Sequence, residues 1–96
     1  MSSFASIDED LQHWAVENKI HVATEYKECE VRSFELATRF GSVQVWIEPG
    51  ASGNFEVVGC NNRVGAARRL DRVAIGRAGV GRGLDHLLAL VMKWEW

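Results

Sequence analysis

The sequence predicts an α+β fold, a two-layer sandwich in which a four- to five-stranded antiparallel sheet carries an N-terminal and a C-terminal helix on one face. Three observations support this. Apolar residues recur at helical spacing near both ends, the middle alternates with a period of two, and a strong turn signal divides that middle into hairpin-sized pieces. With 96 residues, 47% of them hydrophobic and 25% charged, the chain has the length for one core and the balance of a folded protein, so residues 1–96 read as a single domain.

Ser6-Ile7-Asp8-Glu9 has the form of a capping box and predicts a helix start. Ile7, Leu11, Trp14 and Ala15 then fall on one face, while Asp8, Glu9 and Asp10 put negative charge at the positive end of the helix dipole; Asn18-Lys19 closes the segment. From Ile20 to Tyr26 the period is two, a strand with His21 and Glu25 on its polar side, and Lys27-Glu28 turns the chain. A second strand runs from Arg32 to Phe40, with Phe34, Leu36, Thr38 and Phe40 on one side, and Gly41-Ser42 breaks it. Val43, Val45 and Ile47 form the apolar face of a third strand, which turns Trp46 to the opposite face. Pro49-Gly50-Ala51-Ser52-Gly53-Asn54 is the clearest turn in the chain, and Phe55 to Cys60 completes a hairpin.

Residues 61–83 are ambiguous. Val64, Ala67, Leu70 and Ala74 fit a helix, whereas 70–75 also reads as an edge strand, and the strand is the preferred reading. From Leu84 onward, Leu84, Leu87, Leu88, Val91 and Met92 share one helical face. The Gly- and Arg-rich stretch 76–83 reads as a flexible connector.

Composition narrows function. The longest apolar run, Leu87 to Met92, is far short of the roughly 20 residues that span a bilayer, and nothing at the N-terminus resembles an export signal. Two cysteines, Cys29 and Cys60, make no disulfide framework, so a cytoplasmic protein with free thiols is expected. Net charge of −2 hides an asymmetry: residues 1–60 hold ten carboxylates against four basic groups, a net −6, and residues 61–96 hold seven basic groups against three acids, a net +4.

Four constellations bear on chemistry. Gly79-x-Gly81-x-Gly83 lacks the Lys-Ser/Thr ending of a P-loop and the spacing of a dinucleotide fingerprint. His13, His21, His86, Cys29 and Cys60 show no metal-ligand spacing, and no nucleophile elbow is present, so neither metal, cofactor nor catalysis is expected. Arg68, Arg69, Arg72, Arg77 and Arg82 could meet nucleic-acid phosphates, but no aromatic residues interleave them and the chain is acidic overall, which makes nucleic-acid binding the alternative reading. Glu25, Glu28, Glu30, Glu35 and Glu48 come from successive strands and turns, with Glu56 following, and a meander gathers several of them beside Trp46. Negative charge to steer a partner and an aromatic anchor to hold it are what an inhibitor of a cationic protein presents.

The order of a helix with Trp14, a strand pair, Val43-Gln44-Val45-Trp46-Ile47-Glu48-Pro49-Gly50 running into Phe55-Glu56-Val57-Val58, and a Leu-rich helix ending in Trp94 resembles small immunity proteins of bacterial polymorphic and contact-dependent toxin systems, with the TriTu family the nearest in layout. The resemblance implies a non-enzymatic protein that binds a cognate toxin, often a basic nuclease domain, with Glu25, Glu28, Glu30, Glu35, Trp46 and Glu48 as the binding face. A phage- or plasmid-encoded inhibitor of a defence complex would share this acidic α+β character and differ in its partner.

Overall fold

The computed structural model describes residues 4–50, 54–62, 65, 67–76 and 79–95. Helix α1 (Ala5–Glu17) leads into five strands, β1 (Ala23–Tyr26), β2 (Cys29–Thr38), β3 (Gly41–Pro49), β4 (Phe55–Asn61) and β5 (Leu70–Ile75), and α2 (Val80–Val91) follows. The strands form one antiparallel sheet in the order β1-β2-β3-β4-β5. Every connection within it joins neighbours, as a meander requires.

Both helices pack on one face of the sheet. Ile7, Leu11, Trp14 and Ala15 of α1 and Leu84, Leu87 and Val91 of α2 are buried in a single core with Phe34, Val43, Val45, Ile47, Phe55 and Val57 of the strands. The period-two pattern of β3 lands as the sequence predicts: Val43, Val45 and Ile47 are buried, while Gln44, Trp46 and Glu48 lie on the far side, half-buried. The edge strand at 70–75 is also as expected, and Asn61 explains why the segment before it resists reading. Its side chain donates to the Ala67 carbonyl and accepts from the Arg69 amide, so one buried asparagine ties the approach to β5 to the end of β4, a link that neither helical nor strand periodicity could reveal.

Four boundaries differ from expectation. No capping box forms at Ser6; the helix begins two residues earlier, with Phe4 as its N-cap and the Phe4 carbonyl accepting from Ile7 and Asp8. Phe4 is buried over Phe55 and Arg32, so packing sets this helix start in place of a side-chain hydrogen bond. Residues 20–22 are not strand, because the Ile20 amide is used on the Ala15 carbonyl to close α1. The second strand stops at Thr38, whose hydroxyl donates to the Gly41 carbonyl and accepts from the Phe40 amide, so Arg39-Phe40 is the turn and Gly41 opens β3.

The fourth concerns the glycine-rich segment. Helix α2 starts at Val80, not Leu84, and Gly83 is a packing position: a Cβ there would stand 3.2 Å from the Ile75 side chain, whereas one on Gly81 would make an ordinary contact with Trp14 at 3.6 Å. Gly79, at φ 94°, supplies the left-handed turn into the helix. Low helix propensity hid this start from the sequence, and close approach of helix and sheet is what Gly83 provides. Arg77 and Ala78, also within the predicted connector, lie outside the described residues.

The turn between β1 and β2 carries strain. Lys27 and Glu28 sit at φ 48° and 66°, the double left-handed geometry of a two-residue hairpin that favours Asn-Gly. Glu28→Gly is expected to stabilise the fold by about 0.5–1 kcal/mol, read as a higher urea midpoint at unchanged slope.

Candidate functional site

No described element covers the other face of the sheet. Alternation and register place Ser33, Trp46, Val58 and Arg72 in one row across β2 to β5 on that face, and Glu48, Glu56 and Ala74 in the next. Val58 is fully buried all the same, and its cross-strand neighbours Trp46 and Arg72 stand on either side of it to supply the roof.

A hydrogen-bonded chain crosses this face. The Trp46 indole donates to Glu48 Oε1 at 2.8 Å, and Arg72 Nη1 donates to Glu48 Oε2 at 2.8 Å and to Glu56 Oε2 at 3.1 Å. The Trp46 indole and then Arg72 hold the Glu48 carboxyl below its ordinary range, so it stays ionised. Each described tryptophan follows the same rule: Trp14 donates to Asp85 and Trp94 to Asp71, pairings that sequence spacing does not announce.

At one end the β2–β3 ladder opens into a fork. Its last pair is Ser33 with Trp46; beyond it β3 stays with β4 as far as Pro49 and Phe55, while β2 stays with β1 through Glu30 and Glu25. A groove of about 660 Å³ lies there, bordered by Glu30, Val31 and Ser33 on one side and Trp46, Glu48 and Pro49 on the other. Tyr26 from the β1 end also lines it, 62% exposed, and Phe4 reaches it from the helix side. Arg32 forms part of the lining, with its guanidinium over the Phe4 ring at 4.7 Å and bonded to Asp8 at 2.7 and 3.0 Å, to Glu30 at 3.1 Å and to the Val31 carbonyl at 2.7 Å.

Charge around the fork is unbalanced by design of the pairing. Arg32 pairs with Asp8 and Glu30, and Glu48 and Glu56 share one guanidinium, Arg72, so that this second trio retains a net −1. Glu25 stands directly opposite Glu30 and Glu48 directly opposite Glu56 in register, and like charges so placed destabilise a sheet.

Comparison with protein-family models, curated proteins and solved structures finds no match to this chain.

The six acidic and aromatic residues expected to form one surface are therefore divided. Glu30, Trp46 and Glu48 meet at the groove. Glu25 is Glu30's cross-strand neighbour at its rim, Glu28 occupies the turn beyond, and Glu35 lies on the open face opposite Gln44, outside the groove. Glu30 shares the helix-side alternation of Arg32 and Phe34, so the carboxylates straddle the fork instead of lining one face. Tyr26 and Val31 complete the groove and were missed, since neither stands out from its strand by type or spacing.

The described arginines have different surroundings. Arg72 is engaged by Glu48 and Glu56, Arg69 lies over the Trp94 ring at 5.6 Å, Arg68 is exposed beside it in sequence, and Arg82 is exposed on the first turn of α2. Arg77 lies outside the described residues. Among those residues no His, Cys, Asp and Glu side chains group as metal ligands, and no helix is long and apolar enough to cross a membrane.

The Asp8–Arg32 pair gives an acid-range test. Hydrogen bonding from Arg32 lowers the Asp8 carboxyl, and Asp8 raises Arg32 in return. A carboxylate lowered on folding contributes stability that is present above its unfolded value, about pH 4, and is lost as pH falls through the folded one. Asp8→Asn is expected to lower stability at pH 7 and to flatten the decline from about pH 4 downward, measured by urea unfolding across that range.

Proposed function

We propose that the chain is a non-enzymatic binding protein that holds a basic protein partner at the acidic, aromatic fork of its sheet, and that it acts as an immunity protein masking the nucleic-acid-binding surface of a cognate nuclease toxin. The observation that carries the binding reading is the meeting of Glu30, Trp46 and Glu48 with Tyr26 around one groove, beside the Glu48–Arg72–Glu56 trio of net −1. Excess carboxylate attracts a cationic surface and speeds encounter, and a half-buried indole fixed by Glu48 offers a rigid anchor. The toxin itself is supported by the resemblance in layout, since basic nuclease surfaces are complementary to such a face.

The like-charge pairs add weight. Glu25 stands opposite Glu30 in register, a placement of like charges that works against a sheet, and a partner's cation on Glu25 would relieve it. Glu25→Lys is accordingly expected to raise stability by about 0.5 kcal/mol while weakening partner capture, a trade that an ordinary solvated sheet edge would not show.

The test is capture from the native host with the tagged chain as bait, beside a Glu30→Gln/Glu48→Gln bait, with bound protein identified by mass spectrometry and nucleic acid assayed. The reading expects one basic protein in near-stoichiometric amount, lost with the double variant. Nucleic acid recovered equally by both baits, and released by salt, would overturn it and move the site to the arginines.

A further inference from the structure

We infer that the fork seats one arginine side chain of the partner, its guanidinium lying against Tyr26 and Trp46 and bonded to Glu48. This rests on the acidic-face reading and narrows it to a single side-chain type.

The groove offers what a guanidinium needs. Tyr26 is largely exposed and already carries a cation, Lys27 Nζ at 5.3 Å from its ring centroid, which an incoming guanidinium would displace, and the Trp46 indole is held by its edge through the bond to Glu48, which leaves the ring face uncommitted by that bond. Glu48 accepts one hydrogen bond on each oxygen, from Trp46 and from Arg72, and a carboxylate has about four acceptor positions, so both oxygens can take a further donor. The Ser33 hydroxyl and the Gln44 amide oxygen add neutral acceptors along the same wall. An apolar occupant would strip water from the Glu48 carboxylate and return no hydrogen bond, and an anion would meet the Glu48–Arg72–Glu56 trio of net −1.

The protein already solves this recognition problem once, in the lining of the same groove. Arg32 rests over an aromatic ring, Phe4, with two carboxylates and a backbone carbonyl as acceptors. The outer part of the groove repeats that set, with Tyr26 and Trp46 as the rings and Glu48 as the carboxylate. Arginine fits better than lysine because its planar, weakly hydrated cation stacks on rings and spreads five donors in one plane, whereas an ammonium keeps its hydration and has no flat face.

The test uses the full chain, isotope-labelled, with the Trp46 indole N–H followed by NMR during titration with the peptide acetyl-Gly-Arg-Gly-amide and, separately, with its Gln and Lys counterparts. The arginine peptide is expected to shift that resonance saturably, with a dissociation constant on the order of millimolar. The lysine peptide should bind more weakly, and the glutamine peptide should leave the resonance unmoved. Tyr26→Ala, at an exposed position that the fold does not rely on, should weaken the arginine peptide about tenfold. No saturable shift, an equal shift with glutamine, or indifference to Tyr26→Ala overturns the arginine seat. Should any of these occur while a basic protein is still captured in a Glu30- and Glu48-dependent way, the acidic-face reading stands without the seat; loss of that capture is the separate result that removes the reading itself.

Discussion

Leu87→Ala is expected to lower the unfolding free energy by about 3 kcal/mol, within the range for emptying a fully buried leucine position, and a domain of this size has only about 5–15 kcal/mol to lose. The reason lies in how α2 meets the sheet. Leu87 is completely buried and, with Val91, lies over Gly59 of β4, where an added Cβ would stand 3.4 Å from Leu87 and 3.3 Å from Val91. Those distances are tight, so Gly59→Ala alone should destabilise, by about 1 kcal/mol. In the Leu87→Ala background the added methyl enters the space the leucine vacated, and only the Val91 contact remains. The double variant should therefore be less damaged than the two single effects added together, by at least about 0.5 kcal/mol, which chemical unfolding of all four proteins measures as a coupling. Strict additivity would mean that Gly59 does not set the depth at which the helix docks.

Trp46→Ala is expected to weaken capture of the basic partner by about 2 kcal/mol, roughly thirtyfold, which is the size of effect seen when a central aromatic anchor is truncated. Trp46 stands on the open face away from the helices, so the core set by Val43, Val45 and Ile47 keeps its packing. The substitution also releases Glu48 from one of its two donors and uncovers one side of Val58, and some loss of stability follows. Trp46→Phe separates the contributions, since it restores an aromatic surface over the row but cannot donate to Glu48. An isothermal titration with the captured partner should place Trp46→Phe between wild type and Trp46→Ala, with all three proteins folded by their unfolding transitions.

Much of this fold is legible in the sequence because its signals are local. The alternation of Val43, Val45 and Ile47 against Gln44, Trp46 and Glu48 places the core and the open face correctly, and the Leu-rich run marks a helix that buries Leu84, Leu87 and Val91. Misreadings occur where a local signal yields to a tertiary one. Ser6 and Glu9 look like a capping box, but burial of Phe4 against Phe55 and Arg32 moves the helix start. Gly81 and Gly83 look like a loop until the helix is seen to run through them, with Ile75 tight against the space a Gly83 side chain would fill.

The site divides in the same way. Trp46 and Glu48 are two residues apart on one strand, so alternation alone puts them side by side, and their hydrogen bond follows. Glu30 joins them only because the β2–β3 ladder ends at Ser33 and Trp46, and nothing in residue type announces where a ladder stops. The pairing of Arg32 with Asp8 spans 24 positions in the chain, as does that of Arg72 with Glu48, and no periodicity encodes either. Counting acidic residues therefore points to the strands that border the groove, whereas the groove itself emerges only from the register.

The central claim, that the open face and its fork form the partner surface, is tested most directly by amide hydrogen exchange of the chain with and without its captured partner. Slowed exchange concentrated in 26–33, 44–49 and 56–58, with α1 and α2 unchanged, is the expected result. Slowing confined to the helices, or to 68–69 and the first turn of α2, would contradict the claim and assign binding to the opposite face or to the arginines.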